Sequence, residues 1–290
     1  MKIGIVGAGK VGCSVGKFWC ESEVLRASGY EVTGYFSKSE QSVEEAATFT
    51  GTKAFGSLEE LVEENEIICI ATPDDSIGSV WETLSRMAIE DKIVCHFSGS
   101  LSSDLFLNRF ERNVQACSVH PMYAFSNKFT SYQQLNQVLL TMEGDEAAVS
   151  RCGEIWELCG NEVSVITPDK KTQYHAAASM ISNMMVGLYE QSLRLLTDCG
   201  FEYEMAQKLV KPLVQGNVEH LLATSPEEAL TGPIERNDVN TVEKHLKALK
   251  GKDLTVYLNL AKEVLEVAKR KNPNVDYEKL TLLLEKNGRV

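Results

Sequence analysis

Short apolar runs alternate with stretches of helical period through the first half of the chain. Residues 2–6 read KIGIV and end at a glycine-rich turn. Residues 10–27 carry a helical pattern, and the chain turns at Ser28 and Gly29. Residues 31–36, EVTGYF, form a second strand pattern, weakened by Gly34. Residues 40–48 read as helix, and Ser57 with Glu60 has the capping-box spacing that opens another. Residues 66–71, EIICIA, are a third strand, broken by Thr72 and Pro73. A helix over 77–87, strands over 92–97 and 114–119, and strands over 138–142 and 162–166 around a helix at 146–158 complete the pattern. Strands alternating with helices predict an α/β fold with a doubly wound, mostly parallel sheet. Runs such as IICIA and KIVCHF are apolar throughout, as strands covered on both faces must be.

Strand patterns stop at Pro168. Residues 170–199 read as one long helix rich in Ala and Met. A second helix covers 202–222, with a kink or restart at Pro212. Ser225, Pro226, Glu227 and Glu228 form a cap, a proline at the first helical position and two acids in the first turn. Helices follow over 239–249, 254–269 and 277–285. The change at Thr167, Pro168 and Asp169 predicts an α/β domain over 1–167 and an all-helical domain over 168–290. The apolar face around Met180, Met184 and Met185 is first a packing surface, either core or subunit interface.

Composition narrows the classes. The chain has 290 residues, 43% hydrophobic and 24% charged, enough for a large core without staples. Its 41 Asp+Glu exceed its 29 Lys+Arg, for a net charge of -12. Such a surface repels nucleic acid and anionic membrane at long range. Residues 241–290 are basic, with 11 Lys+Arg against 7 Asp+Glu, but on helices these read as a solvated face. Eight cysteines show no CxxC pair and no neighbouring histidine cluster, so neither a disulfide frame nor a metal site is expected. They suit a reducing, cytoplasmic setting. No run of 18 apolar residues spans a membrane, and the N-terminal MKIGIVGAG lacks the apolar core of a signal peptide.

The most informative motif is GxGxxG over residues 7–12: Gly7, Ala8, Gly9, Lys10, Val11 and Gly12. The bare spacing is weak, but this one follows a strand and opens a helix, as a dinucleotide site requires. Gly7 permits the tight turn, Gly9 lets the backbone approach a pyrophosphate, and Gly12 lets helix and sheet pack closely. The helix amides then meet the phosphates. At the end of the second strand, where an NAD site places an acid, the chain reads Ser37, Lys38, Ser39. These donors suit a 2′-phosphate and favour NADP over NAD, although Glu40 follows closely. Ala71, Thr72 and Pro73 lie at the end of the third strand and form a wall of the same crevice, with Asp74 a candidate helix cap.

Four segments carry candidate chemistry. His96 and Ser98 end one strand and either orient substrate or nicotinamide, or stabilise a loop. His120 ends the next and either donates a proton to a developing alkoxide or has a loop role. His175, Ser179 and Asn183 recur at four-residue spacing on one helix stripe among Ala, Met and Ile; they contact a ligand or form an internal network. Arg236, beyond the Gly232–Pro233 turn, either clamps a substrate carboxylate or pairs with Glu235 or Asp238.

Taken together, GxGxxG at 7–12, HFSGS at 96–100, SVHPM at 118–122, YHAAASMISN at 174–183 and ALTGPIERND at 229–238 resemble the Rossmann-like oxidoreductases that carry a DUF2520 C-terminal domain. The resemblance covers nearly the whole chain. That group is similar to 6-phosphogluconate dehydrogenase, pyrroline-5-carboxylate reductase and ketopantoate reductase. The resemblance implies an N-terminal domain that holds NAD(P), a helical domain that closes over a small carboxylate substrate, and a homodimer formed through the helical domain. It departs at one position. The related enzymes place a catalytic Lys on the first long helix and an Asn one turn later. Asn183 matches that Asn, but Ser179 stands where the Lys would be. Lys170 and Lys171 come too early to replace it. The expectation is therefore that His120 or His175 supplies the proton while Ser179 and Asn183 orient the reacting group. The implied activity is NADP-dependent hydride transfer to the carbonyl of a small 2-oxo carboxylate, with ketopantoate as the named candidate. Two alternatives stay open: reduction of a pyrroline-5-carboxylate-like imine, and a non-catalytic NADP-binding metabolite sensor.

Overall fold

The structure, a computed structural model, describes residues 1–288. It divides into two compact units, Met1–Met184 and the residues from Met185 onward.

The first unit is built on eight strands: β1 (Lys2–Val6), β2 (Glu31–Phe36), β3 (Lys53–Ala54), β4 (Ile67–Ile70), β5 (Ile93–His96), β6 (Gln115–Pro121), β7 (Leu140–Gly144) and β8 (Val163–Val165). Their order is β3-β2-β1-β4-β5-β6-β7-β8. All neighbours are parallel except β6 and β7. The first six strands thus follow the order of a dinucleotide-binding sheet, which reverses direction between β1 and β4. Side-chain alternation explains the burial of both faces. Ile3, Ile5, Ile67, Cys69, Cys95, Cys117 and Val119 pack on one face, while Val6, Ile68, Ile70, Val94 and Ala116 pack on the other. The first face is covered by α1 (Lys10–Glu21), α3 (Glu40–Thr50) and α6 (Glu146–Leu158), the second by α4 (Leu58–Glu64) and α5 (Asp74–Leu84).

Several boundaries differ from the sequence expectation, each for a local reason. The helix expected over 10–27 breaks at Ser22, whose extended backbone and Oγ cap a new helix, α2 (Glu23–Ala27). Gly34 does not end β2. A Cβ there would overlap the Lys53 carbonyl, so the glycine lets β3, a strand the pattern did not reveal, pair closely. Ser57 accepts the Glu60 N–H as expected, but the Glu60 carboxylate reaches back to Gly56 rather than to Ser57. The expected 77–87 helix begins earlier, directly after Pro73, so Asp74 lies in its first turn and is not its cap.

The long 170–199 helix contains a π turn. It runs as α7 (Lys171–Ser179), the π segment Met180–Met184 and α8 (Met185–Asp198). The unit boundary falls after Met184, later than the 167/168 change in pattern. The start of α7 belongs with the sheet because Lys171 is buried against it. The second unit contains α8, α9 (Tyr203–Ala223), α10 (Pro226–Ala229), α11 (Val239–Ala248), α12 (Gly251–Lys271) and α13 (Glu278–Asn287). Pro212 lies inside α9 without restarting it, and Ser225 caps α10 through the Glu228 N–H. Helices α11 to α13 enclose a core of Val242, Leu246, Leu258, Leu265 and Leu280, whereas α8 and α9 share only a small one around Leu193, Ala206 and Val210. All eight cysteines are free thiols. Among the described residues no helix is long and apolar enough to cross a membrane.

Candidate functional site

The nucleotide end is built where β1, β2 and β4 finish. Gly7 has φ +113°, and its N–H donates to the Phe36 carbonyl at 2.8 Å. A Cβ on Gly7 would stand 2.7 Å from the Ala71 backbone, and one on Gly12 would overlap the Gly7 carbonyl oxygen. A Cβ on Gly9 would meet nothing within 4 Å. Gly7 and Gly12 are therefore required by the protein's own packing, while Gly9 borders open space. Gly9 offers no side chain to cap α1, which leaves the first-turn amides of Lys10 and Val11 available to an anion. Ala8 is buried, and the Lys10 side chain is exposed.

Ser37, Lys38 and Ser39 from the end of β2 meet Thr72 and Pro73 from the end of β4 in one cavity of about 740 Å³. Ser39 is partly committed, since its Oγ accepts the Ser42 N–H as the cap of α3. The Thr72 hydroxyl is buried with no partner among the described residues. An unpaired buried donor on the wall, an open Gly9 and a free helix N-terminus fit a dinucleotide. Residues 7–12, 37–39 and 71–73 are the ones that would hold it.

Beyond β5 and β6 the residues sort into two groups. His96 is fully buried. Its Nδ1 accepts the Ser98 N–H at 3.1 Å, and Nε2 lies 3.4 Å from the Ser102 carbonyl. Both nitrogens have partners within the loop, the arrangement of the loop-stabilising alternative. Burial, with Lys171 adding to it, pushes its pKa down to about 4. The Ser98 side chain is engaged likewise. Its hydroxyl donates to Asp74 Oδ2 at 2.7 Å and accepts the Ser100 and Leu101 N–H groups. Asp74 also accepts from the Ser100 hydroxyl, so its carboxylate ties down the loop after β5.

His120, His175, Ser179 and Asn183 come together around a second cavity of about 460 Å³, which Tyr123, Phe125 and Ser182 also line. His120 Nδ1 lies 2.8 Å from the Tyr174 hydroxyl, and its ring meets His175 edge-on at 6.1 Å. A Cβ on Gly99 would stand 2.7 Å from His120 Nε2 and 2.6 Å from His175 Cδ2. Only glycine allows the backbone to lie against both rings. Burial, then the positive charge of Lys171 and the nearby His175, push the His120 pKa down to about 4, so its ring is neutral at ordinary pH. Because of the π turn, adjacent residues Ser182 and Asn183 both face this cavity; the Ser182 Oγ lies 3.1 Å from Asn183 Oδ1.

Two groups went unrecognised in the sequence. Tyr174 opens the 174–183 motif, but its contact with His120 spans 54 positions and is not marked by that motif. Lys171, judged too early on its helix, is 1% exposed and hydrogen-bonds the Ser98 carbonyl and the Ser118 hydroxyl. In the second unit Arg236 is exposed. Neither expected surface pair forms: Glu235 lies near Lys271, and Asp238 caps α11 through Thr241.

Two neutral buried histidines have a measurable consequence. Each has an ordinary value of 6.5 and about 4 in the fold, so the unfolded chain binds more protons between those limits. Stability is expected to fall as pH drops through that window, by up to about 1.4 kcal/mol per pH unit for each histidine. Urea titrations across the window check this; a flat profile would contradict it.

The comparisons with known proteins agree with this architecture. Residues 138–264 match a domain of unknown function, DUF2520, and residues 1–95 match the oxidoreductase family with an NAD-binding Rossmann fold. The first match starts just ahead of β7, so it takes in the last two strands as well as helices. No curated protein is significantly similar in sequence. Among solved structures, protein TM1727 from Thermotoga maritima has a TM-score of 0.74 at 25% identity, over 93% of this chain and 99% of that one. An imine reductase from Myxococcus stipitatus in complex with NADP+ has a TM-score of 0.58 at 17% identity, over 98% of this chain and 100% of that one. Its V8 variant in complex with NAD+ has a TM-score of 0.57 at 17% identity, over 98% of each chain. At 17% identity the likeness is one of fold. The chain is thus an oxidoreductase that combines an N-terminal NAD(P)-binding Rossmann fold with a DUF2520 domain.

Proposed function

We propose that the protein is an NADP-dependent reductase acting on a small imine bound in the cavity between His120, His175 and Asn183. The observation that carries this reading is the character of that cavity. Its lining contains histidines, serines, an asparagine and aromatic rings, and no Lys or Arg. A bound nicotinamide supplies the hydride. A ketone needs a proton as its alkoxide forms, and a neutral His120 is a poor acid for that task. A protonated imine arrives already carrying its proton. Tyr123 and Phe125 line the cavity, and aromatic rings attract a cation; Ser179 and Asn183 offer hydrogen bonds that orient it.

The second reading is reduction of a 2-oxo carboxylate such as ketopantoate. Arg236 supports it, since its guanidinium is exposed and bonds to neither Glu235 nor Asp238, although Asp238 lies within its field. The decisive comparison is the rate of NADPH consumption with 1-pyrroline, with pyrroline-5-carboxylate and with ketopantoate. Turnover of the imines and not of ketopantoate is the expected result. Ketopantoate turnover alone would replace the imine reading with the second. NADPH binding without turnover of any of them would favour a metabolite sensor.

The absence of an acid at the end of β2, and the presence of Ser37 and Lys38, support NADP over NAD. Lys38→Ala is expected to lower the preference for NADP+ over NAD+ by about 10- to 100-fold, the loss of one charge-assisted contact. Dissociation constants for both nucleotides check this, and an unchanged ratio would remove Lys38 from the site. Exposed apolar side chains on α8 and α9, among them Val186, Leu213 and Leu222, support a homodimer through the helical unit. Eight free thiols support a reducing, cytoplasmic compartment.

A further inference from the structure

Lys171 is a buried cation without a direct ion pair among the described residues, and such a group is costly unless its donors are used. Its Nζ donates to the Ser98 carbonyl at 2.8 Å and to the Ser118 hydroxyl. The same carbonyl also accepts from the Ser118 hydroxyl at 3.3 Å. One carbonyl is therefore held by two donors, one of them charged. That carbonyl belongs to the Ser98–Gly99 peptide, which is trans like every peptide bond in the described chain. In a trans peptide the N–H points away from the C=O. The Gly99 N–H is thus directed away from Lys171. Gly99 is buried, yet its N–H has no acceptor among the described residues. Buried backbone donors are almost always paired, so an unpaired one on a glycine packed against His120 and His175, which line the second cavity, points to a bound acceptor.

Topology indicates which acceptor. The cavity at Ser37, Lys38 and Thr72 lies at the ends of β2 and β4, and the glycine turn at the end of β1. A dinucleotide whose adenosine end occupies that cavity extends past β4 toward β5. The Ser98–Gly99 peptide follows β5 on the same edge.

We propose that Lys171 is a positioning residue which fixes the Ser98–Gly99 peptide so that the Gly99 N–H is a preformed donor for the carboxamide oxygen of bound nicotinamide. The inference rests on the nicotinamide reading above and not on the choice of substrate. Donation to the carbonyl also polarises the peptide and strengthens its N–H as a donor. Burial brings the pKa of Lys171 down to about 8, opposed by the fields of Glu143 on β7, Asp74 on α5 and Cys117 on β6, which favour its charge. His96 and His120, which Lys171 repels, stay neutral through that range.

The test is calorimetric titration of the full chain with NADP+ and with 2′,5′-ADP, which lacks the nicotinamide. Lys171→Met is expected to weaken NADP+ binding about tenfold, the value of one hydrogen bond to a well-placed donor, and to leave 2′,5′-ADP within about twofold. Equal weakening of both, or of neither, would overturn the proposal. Should the variant not fold, the wild type decides through a pH series spanning about 8. The ratio of NADP+ to 2′,5′-ADP affinity is expected to fall as Lys171 loses its proton, and a constant ratio overturns the proposal. A wild-type chain that binds neither nucleotide would fail the nicotinamide reading, and this inference with it. A chain that binds both but turns over no substrate would fail only the reductase reading, and the binding comparison would still decide the role of Lys171.

Discussion

Gly12→Ala is expected to destabilise the protein by about 3 kcal/mol or more, while Gly9→Ala changes stability by less than about 1 kcal/mol. The two positions belong to one motif but answer to different neighbours. A methyl on Gly12 would overlap the Gly7 carbonyl oxygen. Both sides of that contact are backbone, in a helix start and a turn that Gly7 already holds at φ +113°. Neither can yield without moving α1 off β1. A methyl on Gly9 meets nothing in the protein. Its obstruction arises only when a pyrophosphate approaches the loop, so Gly9→Ala is expected to fold normally and lose at least about tenfold in nucleotide affinity. Urea unfolding of the apoprotein and calorimetric titration with NADP+ measure the two effects. If both variants lost stability equally, Gly9 would have a structural role and the open space beside it would not be a phosphate site.

Gly99→Ala is expected to reduce kcat/KM for the imine by about a hundredfold while nucleotide binding through 2′,5′-ADP is retained. The new methyl would collide with both His120 and His175, at 2.7 and 2.6 Å. These rings line the substrate cavity, and a displacement near 1 Å at a reacting group is enough for a loss of that order. His120→Ala removes the ring itself and is expected to lose as much. Tyr174→Phe removes only the hydroxyl that bonds His120 Nδ1, and is expected to lose about tenfold. Steady-state kinetics with the three variants, alongside their melting temperatures, separate site geometry from folding. Full activity in Gly99→Ala would mean that the paired rings do not contact the reacting molecule.

Much of the first unit was legible in the sequence because its signals are local. Strand period, the turn after residues 2–6 and the glycine spacing all arise within a dozen residues. The same holds for α6, found over the residues its pattern covers. The Ser37, Lys38, Ser39 and Thr72, Pro73 segments could be assigned to one crevice because strand order in such sheets follows from right-handed crossovers. Boundaries were less legible where a side chain competes with the helix, as Ser22 does, or where a proline starts one, as Pro73 does.

The sequence by itself determined the alternation of strands and helices, the dinucleotide turn and the set of polar residues available for chemistry. Only the tertiary structure decided which of those residues are free to act. His96 and His120 end adjacent strands and look equivalent as letters, yet one spends both ring nitrogens on its own loop while the other borders a cavity with Tyr174 behind it. Ser98 is consumed by Asp74, 24 positions away, and Lys171 reaches a carbonyl 73 positions away. Availability depends on which partners come within about 3 Å. That distance is set by how strands and helices pack, not by spacing along the chain.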